Sequence, residues 1–174
     1  MSVIEKIFTA ENLLYMLKGA GFSLLIAVCA LIGGSVLGLL AATLKMSKHK
    51  LPKIIANIYV EVIPGTPMML QILMLYLCGP VVTKALFGYV YTPNPLVIGT
   101  IAVAINSGAY TSELFRSAIQ AVDKGQWEAA RSIGLTETHV MTHVIMPQAV
   151  KNILPALCNE FITTVKGTSL ASVF

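Results

Sequence analysis

Charge is what this sequence has least of. Only 11% of its 174 residues are Asp, Glu, Lys or Arg, against about a quarter in an ordinary soluble domain. Fully 56% are hydrophobic and mean hydropathy is +0.77, so there is too little polar surface to wrap a soluble core. Cysteine is scarce as well: Cys29, Cys78 and Cys158 lie far apart in apolar segments and form no CxxC pair. That argues against a disulfide framework or a zinc cluster and leaves buried, inert thiols as the expectation. No GxxxxGK[ST] occurs, KGTS at 166–169 having its letters in the wrong order, so the chain holds no nucleotide in a P-loop. The GxSxG nucleophile elbow is missing too. His139 and His143 share a helix face, but position 140 is Val where a zincin needs Glu, and no third ligand is near. No metal site is expected.

What the chain has is long apolar runs. Residues 19–44, GAGFSLLIAVCALIGGSVLGLLAATL, carry no charge. As a helix they measure about 39 Å, more than the ~30 Å hydrocarbon core, and so span a bilayer with tilt or protrude. A cleaved signal peptide is excluded, because its apolar region is only about 7–15 residues and the preceding residues mix Glu5 and Glu11 with Lys6 and Lys18. The loop KMSKHKLPK at 45–53 holds four lysines and no acid, whereas 79–95 holds only Lys84. Lys and Arg collect in cytoplasmic loops, which puts 45–53 inside, 79–95 outside and the N-terminal segment 1–18 outside. The basic run is short, follows a span and lacks interleaved aromatics, so nucleic acid is not its partner.

Three further apolar stretches follow. Residues 54–82 contain Glu61, Pro64 and Pro67. Proline removes a backbone donor and clashes with the preceding turn, so 54–66 reads as an interfacial or broken helix and 67–82 as the continuing span. Gly79, Pro80, Gly88, Pro93 and Pro95 mark a turn-rich external loop. Residues 95–112 form the next span, with Asn106, Ser107, Tyr110 and Glu113 at helical spacing, a polar stripe of the kind that faces a bundle interior or a watery path. A cytoplasmic segment at 114–149 precedes a last apolar stretch at 150–165 carrying Pro155, Asn159 and Glu160. Gly34 and Gly38 are either a close-packing pair for another helix or glycines merely tolerated in a span.

Within the cytoplasmic segment, KGQWEAARSIGL at 124–135 predicts a short helix over 122–134. Gly125 lies near its start, Ala129 and Ala130 form a low patch, and Gly134 suits a left-handed C-terminal stop. Such a helix docks in a partner's groove or rests on lipid headgroups; the physics leaves both open.

The letters themselves carry a resemblance. EAA at 128–130, Gly134, nine residues and then VIMP at 144–147 resemble the EAA loop of ABC-importer permeases, with Val144 and Met146 as conservative departures from its I-x-L-P ending. NSGAYTSELFRSAIQAVDKGQWEAARSIGL (106–135), MPQAVKNILPALCNEFI (146–162) and KGTSLASVF (166–174) are similar to the polar amino-acid branch, the histidine- and glutamine-type permeases. The resemblance implies an all-α, polytopic type I ABC-importer transmembrane fold over 19–174, about four spanning helices here where the family usually has one more, and a coupling loop at about 120–147. It implies no enzyme: ATP and Mg belong to a separate ATP-binding subunit dimer, and this chain binds no cofactor. Further partners implied are a second permease copy or paralogue and an extracytoplasmic amino-acid-binding protein, at a bacterial cytoplasmic membrane. Gly125, Glu128, Ala129, Ala130, Arg131 and Gly134 would meet the ATPase, with Glu128 and Arg131 anchoring the rim. Two departures stand out: Pro64 in EVIPGTP replaces a common Arg, and Gly167 replaces a usual Asp. The chain also stops at Phe174 where relatives continue, so a truncated, non-transporting scaffold is the alternative.

Candidate groups on a substrate path are Glu61, Gln71, Asn106, Tyr110, Glu113, Asn159 and Glu160. A carboxylate would favour a substrate's ammonium, and donors its carboxylate. Glu160 and Asn159 are the best placed of these, although a structural pairing of Glu160 with Lys166 is the competing reading. An intramembrane protease would need a Ser/His or Asp/Asp pair at membrane depth, and no such arrangement presents itself.

Overall fold

The computed structural model describes residues 9–90 and 94–171, and these are helical throughout their ordered elements. In chain order they are α1 (Ala10–Lys45), α2 (Lys50–Val62), α3 (Met68–Phe87), α4 (Pro95–Gln120), α5 (Lys124–Ser132), α6 (Glu137–His139), a π-helical turn (Val140–Ile145) and α7 (Met146–Ala171). Residues 1–8 of the expected N-terminal segment 1–18, Pro93 and the last three residues of KGTSLASVF lie outside the described residues.

The central packing is α1 against α4, and glycine decides it. A Cβ on Gly34 would stand 3.1 Å from Ala104 O and Gly108 N; one on Gly38 would stand 2.9 Å from Gly108 O and Ser112 N. The two backbones therefore touch, and of the two readings of these glycines close packing holds. Ala27, Ala30, Ala41 and Ala42 on α1 and Ala102, Ala109 and Thr111 on α4 bury completely or nearly so along the same seam. At the C-terminal end of α1 Lys45 forms an ion pair with Glu113, which also meets Arg116 at 3.3 Å. α7 closes the other side of α4. Large apolar side chains such as Leu17, Ile32, Leu77 and Val81 point outward, as they must when the surroundings are lipid or another subunit.

Several boundaries differ from the sequence expectation. α1 begins at Ala10 rather than 19, so residues 10–18 continue the helix. The second stretch does break, between Val62 and Met68, but α3 runs on through Gly79 and Pro80 to Phe87, where Gly88 stops it with φ 76°. The loop is thus confined to the residues between Phe87 and Pro95. Proline is tolerated inside spanning helices because local adjustments and neighbouring groups can re-satisfy the freed carbonyl, and α3 accommodates Pro80 without a break. Pro155 likewise sits inside α7, which extends well past 150–165 at both ends. α1 and α3 are apolar enough to span by composition alone. α4 and α7, 26 residues each, dilute their apolar character with inward-facing polar groups. The cysteines are exposed on the helix surfaces rather than buried in the chain.

Candidate functional site

Two sites emerge, one between the long helices and one at the short helix α5. The first is a cavity of about 340 Å³ between α4, α7 and the start of α3, lined by Asn106, Ser107, Tyr110, Glu160, Thr163 and Thr164 among others. Its volume falls within the ordinary range for small-molecule sites. Among the described residues, Glu160 is the one charged group on its wall. Ser107 Oγ donates to Glu160 Oε1 at 3.0 Å, bridging α4 to α7; Glu160 is therefore not held by Lys166, which is exposed. Gly167 also borders the space, and a Cβ there would meet only Met68, at 3.5 Å.

Of the seven path candidates the cavity gathers Asn106, Tyr110 and Glu160. Gln71 stands one step behind, accepting from Asn106 Nδ2 at 3.2 Å. Glu61, Glu113 and Asn159 do not line it: Glu61 and Asn159 are exposed, and Glu113 is engaged with Lys45 and Arg116. Thr66, Thr163, Thr164 and Gly167 were not among the candidates. Thr163 and Thr164 lie one turn beyond Glu160, and that i+3/i+4 spacing was the available signal.

The second site is α5. Asp123 caps its start, its Oδ1 accepting from Gly125 N at 2.6 Å, and a Cβ on Gly125 would crowd that same oxygen at 2.8 Å. At the other end Gly134 has φ 84°, Leu135 N donates to Ala130 O at 3.2 Å and Gly134 N to Arg131 O at 3.0 Å. This pair of bonds is the Schellman stop, with the left-handed glycine where the sequence predicts it. The alanine patch is divided: Ala130 is buried with Val140, Ile145, Ala149 and Ile153, while Ala129 is exposed. A helix has two faces, and only the tertiary packing chooses which of two adjacent alanines turns inward. Arg131 forks onto Glu137, Nε to Oε1 at 2.8 Å and Nη2 to Oε2 at 3.0 Å, and lies 5.7 Å from the Trp127 ring centre. The guanidinium holds the Glu137 carboxyl below the usual glutamate range. Ile133, 76% exposed beside Gly134, is an apolar tip that the sequence reading did not single out.

The buried cluster around Ala130 clamps α5 to the end of α4 and the start of α7. Between α5 and α7 the chain makes a π-helical turn ending at Ile145, with Met146 N bonding Met141 O and Pro147 following in the first turn of α7. His139 and His143 stack on it, ring centres 5.3 Å apart.

Comparison with known proteins decides what this architecture is. Residues 34–174 match the family model of the binding-protein-dependent transport system inner membrane component. The chain belongs to that family. The permease is 35% identical over 162 residues to GlnP of Rickettsia prowazekii, a permease protein named for glutamine transport, covering 93% of this chain and 72% of that one. It is 35% identical over 165 residues to the arginine transport system permease protein ArtQ of Bacillus subtilis, covering 95% and 73%. A crystal structure of an amino acid ABC transporter with histidines superposes with TM-score 0.77 at 42% identity, covering 92% of this chain and 75% of that one. This chain is thus an inner-membrane permease subunit of an amino-acid-type ABC importer, with an all-α type I importer fold, and not an enzyme; the family's ATPase activity resides in a separate subunit.

Proposed function

We propose that this permease passes polar amino acids through the cavity between α4 and α7, with Glu160 meeting the substrate ammonium. The observation that carries the reading is the composition of the wall: one carboxylate, several hydroxyls and the Asn106 amide, with no Lys, Arg or His among the described residues. An ammonium gains a charge-assisted bond from Glu160, and the substrate carboxylate is met by hydroxyl and amide donors. A second negative charge on the substrate would face Glu160 with nothing to neutralise it. Glutamine and arginine are therefore better cargo than glutamate.

In the same proposal α5 is the coupling helix. Glu128, Ala129 and Ile133 make the exposed face that enters a groove of the ATP-binding subunit, while Arg131 stiffens the loop through Glu137. Because Ala130 anchors α5 to α4 and α7, a push on α5 moves both cavity walls as a body, in the way packed interfaces switch rather than deform. The working assembly has two ATP-binding subunits using ATP and Mg, two permeases, and a binding protein outside; the permease itself holds no cofactor. Its N-terminus faces outside and the 45–53 and 120–147 segments face the cytoplasm. The remaining loop and helix ends follow from that alternation.

The test is uptake by the complete complex in proteoliposomes with radiolabelled glutamine, arginine and glutamate. Glu160→Gln is expected to raise KM for the favoured substrate by about tenfold, the worth of one charge-assisted bond. KM within twofold of wild type removes Glu160 from the path. For the coupling helix, Gly134→Asp and Ile133→Asp should each lose the ATP-binding subunit on co-purification in detergent. Retention by both variants would rule out α5 as the docking element.

A further inference from the structure

The break between α2 and α3 lies beside the middle of α4, which in the topology proposed above places it at membrane depth. Tyr59, one turn before it, donates its hydroxyl to Ile105 O at 2.6 Å, near the middle of α4. Irregular backbone at that depth is costly unless its carbonyls find partners within the protein. Here one side chain partners two of the segment's five carbonyls. Gln71 Nε2 donates to Ile63 O at 2.7 Å, to Thr66 O at 3.1 Å and to Thr66 Oγ1 at 2.8 Å. The segment it grips, Ile63-Pro64-Gly65-Thr66-Pro67, contains two prolines and a glycine. It cannot continue a helix by itself, because both prolines lack the N–H that would close the ladder.

The other end of the same amide faces the cavity wall. Gln71 Oε1 accepts from Asn106 Nδ2 at 3.2 Å, and both Asn106 and Thr66 line the cavity. Asn106 has one amide group with which to serve both Gln71 and any ligand in the cavity. A ligand that recruits or reorients Asn106 therefore alters the amide that holds the break closed.

We propose that Gln71 is a positioning residue of the transport cycle, fixing the 63–67 break and, through Asn106, making the angle between α2 and α3 respond to what occupies the cavity. This rests on the cavity being the substrate path. A discontinuous helix beside a ligand cavity is a suitable hinge, since it has two faces of polar backbone to satisfy and few ways of doing so. Gln71 touches no substrate in this scheme; it acts through Asn106 and the backbone.

The experiment uses the complete complex in proteoliposomes, with L-glutamine and L-arginine as probes and turnover expressed per assembled complex. Gln71→Leu keeps the volume but removes every amide contact. It is expected to lower kcat for uptake by about tenfold with KM changed less than threefold, while ATP hydrolysis without the binding protein continues, so the two activities separate. A residue that only supports folding would lower the yield of complex and leave turnover per complex and the coupling ratio unchanged; that result overturns the inference. If Gln71→Leu yields no complex, Gln71→Asn is read in its place, because it keeps an amide but withdraws it by one methylene from Ile63 O. Asn106→Ala combined with the Gln71 variant must be non-additive; additive effects also overturn it. The underlying reading fails separately: Glu160→Gln and Asn106→Ala both leaving KM unchanged would dismiss the cavity, and the inference with it. A raised KM for Glu160→Gln with unchanged turnover for Gln71→Leu would dismiss the inference alone.

Discussion

Replacing Gly38 by alanine adds one methyl group where α1 and α4 are in backbone contact. Two effects compete. Alanine is the better helix former by about 0.8–1 kcal/mol in a helix interior, which favours the variant. Against it, the new Cβ would stand 2.9 Å from Gly108 O, Ser112 N and Thr111 Cβ. Two of those three atoms are backbone, so no rotamer change relieves the overlap and the helices must separate. Overpacking of this kind costs about 1–3 kcal/mol, and rigid neighbours place it in the upper part of that range. The expected balance is a net loss of about 1–2 kcal/mol. The control is Gly33→Ala on the adjacent turn position, whose Cβ would meet only Ala104 Cβ at 3.5 Å, an ordinary contact. It keeps the propensity gain without the clash and should be neutral or slightly stabilising. The assay is thermal inactivation of the detergent-solubilised complex followed by size exclusion. A chain of this size shifts by roughly 2–4 °C per kcal/mol, so Gly38→Ala should melt several degrees below both wild type and Gly33→Ala. Equal melting temperatures for the two variants would mean that the α1–α4 approach is not what holds these helices together.

Three other outcomes follow from the same packing. Ser112 Oγ is buried without a hydrogen-bond partner, so Ser112→Ala should leave stability unchanged or raise it by about 1 kcal/mol, read in the same melting assay; a marked loss would mean that the hydroxyl is bonded. Glu113→Gln removes the carboxylate shared by Lys45, whose side chain is only 14% exposed, and Arg116. It should lower the melting temperature at low salt, and addition of Lys45→Met should recover part of the loss, because an unpaired, largely buried ammonium is the costly product. Finally, the Glu137 carboxyl is held below its usual range by Arg131, so the pair contributes fully above the ordinary glutamate range (~4.3) and is lost as pH falls through the depressed value. Amide exchange in 124–137 should therefore be protected alike from pH 8 to 5, after correction for intrinsic rates, and lose protection only in more acid solution. A step near pH 6 would mean that the Arg131–Glu137 pair is not what holds this segment.

The local features of α5 were legible because they depend on near neighbours. The left-handed Gly134 after a short helical run is a signal spanning a few residues, and it appears where the pattern places it; the Asp123 cap two residues before Gly125 is equally local but was not singled out. The break at 62–68 was legible for the same reason, since proline's missing donor acts within one turn. The prolines at 80 and 155 were harder. Nothing adjacent to them in sequence announces that the helix continues, because a spanning helix tolerates proline where its freed carbonyl can be re-satisfied outside the local ladder. Cysteine burial was misjudged on similar grounds: an apolar segment in a membrane protein has an outward face as greasy as its inward one, so hydrophobicity alone does not report which way Cys29 points.

The sequence by itself determined the class. A charge content too low for a soluble surface, uncharged runs longer than a bilayer is thick, a lysine-rich loop and the EAA pattern together specified a helical membrane permease before any coordinates. Tertiary structure alone decided which polar residues meet. Ser107 finds Glu160 across 53 residues and Asn106 finds Gln71 across 35, while Glu61, Glu113 and Asn159, equally polar and equally embedded in apolar sequence, turn elsewhere. Helical periodicity assigns each residue to a face of its own helix, but which face opens on the cavity is set by where backbone meets backbone. In this chain that contact is made at Gly34 and Gly38 against Gly108, and the rotation it imposes on α4 carries Asn106 and Ser107 to the cavity wall.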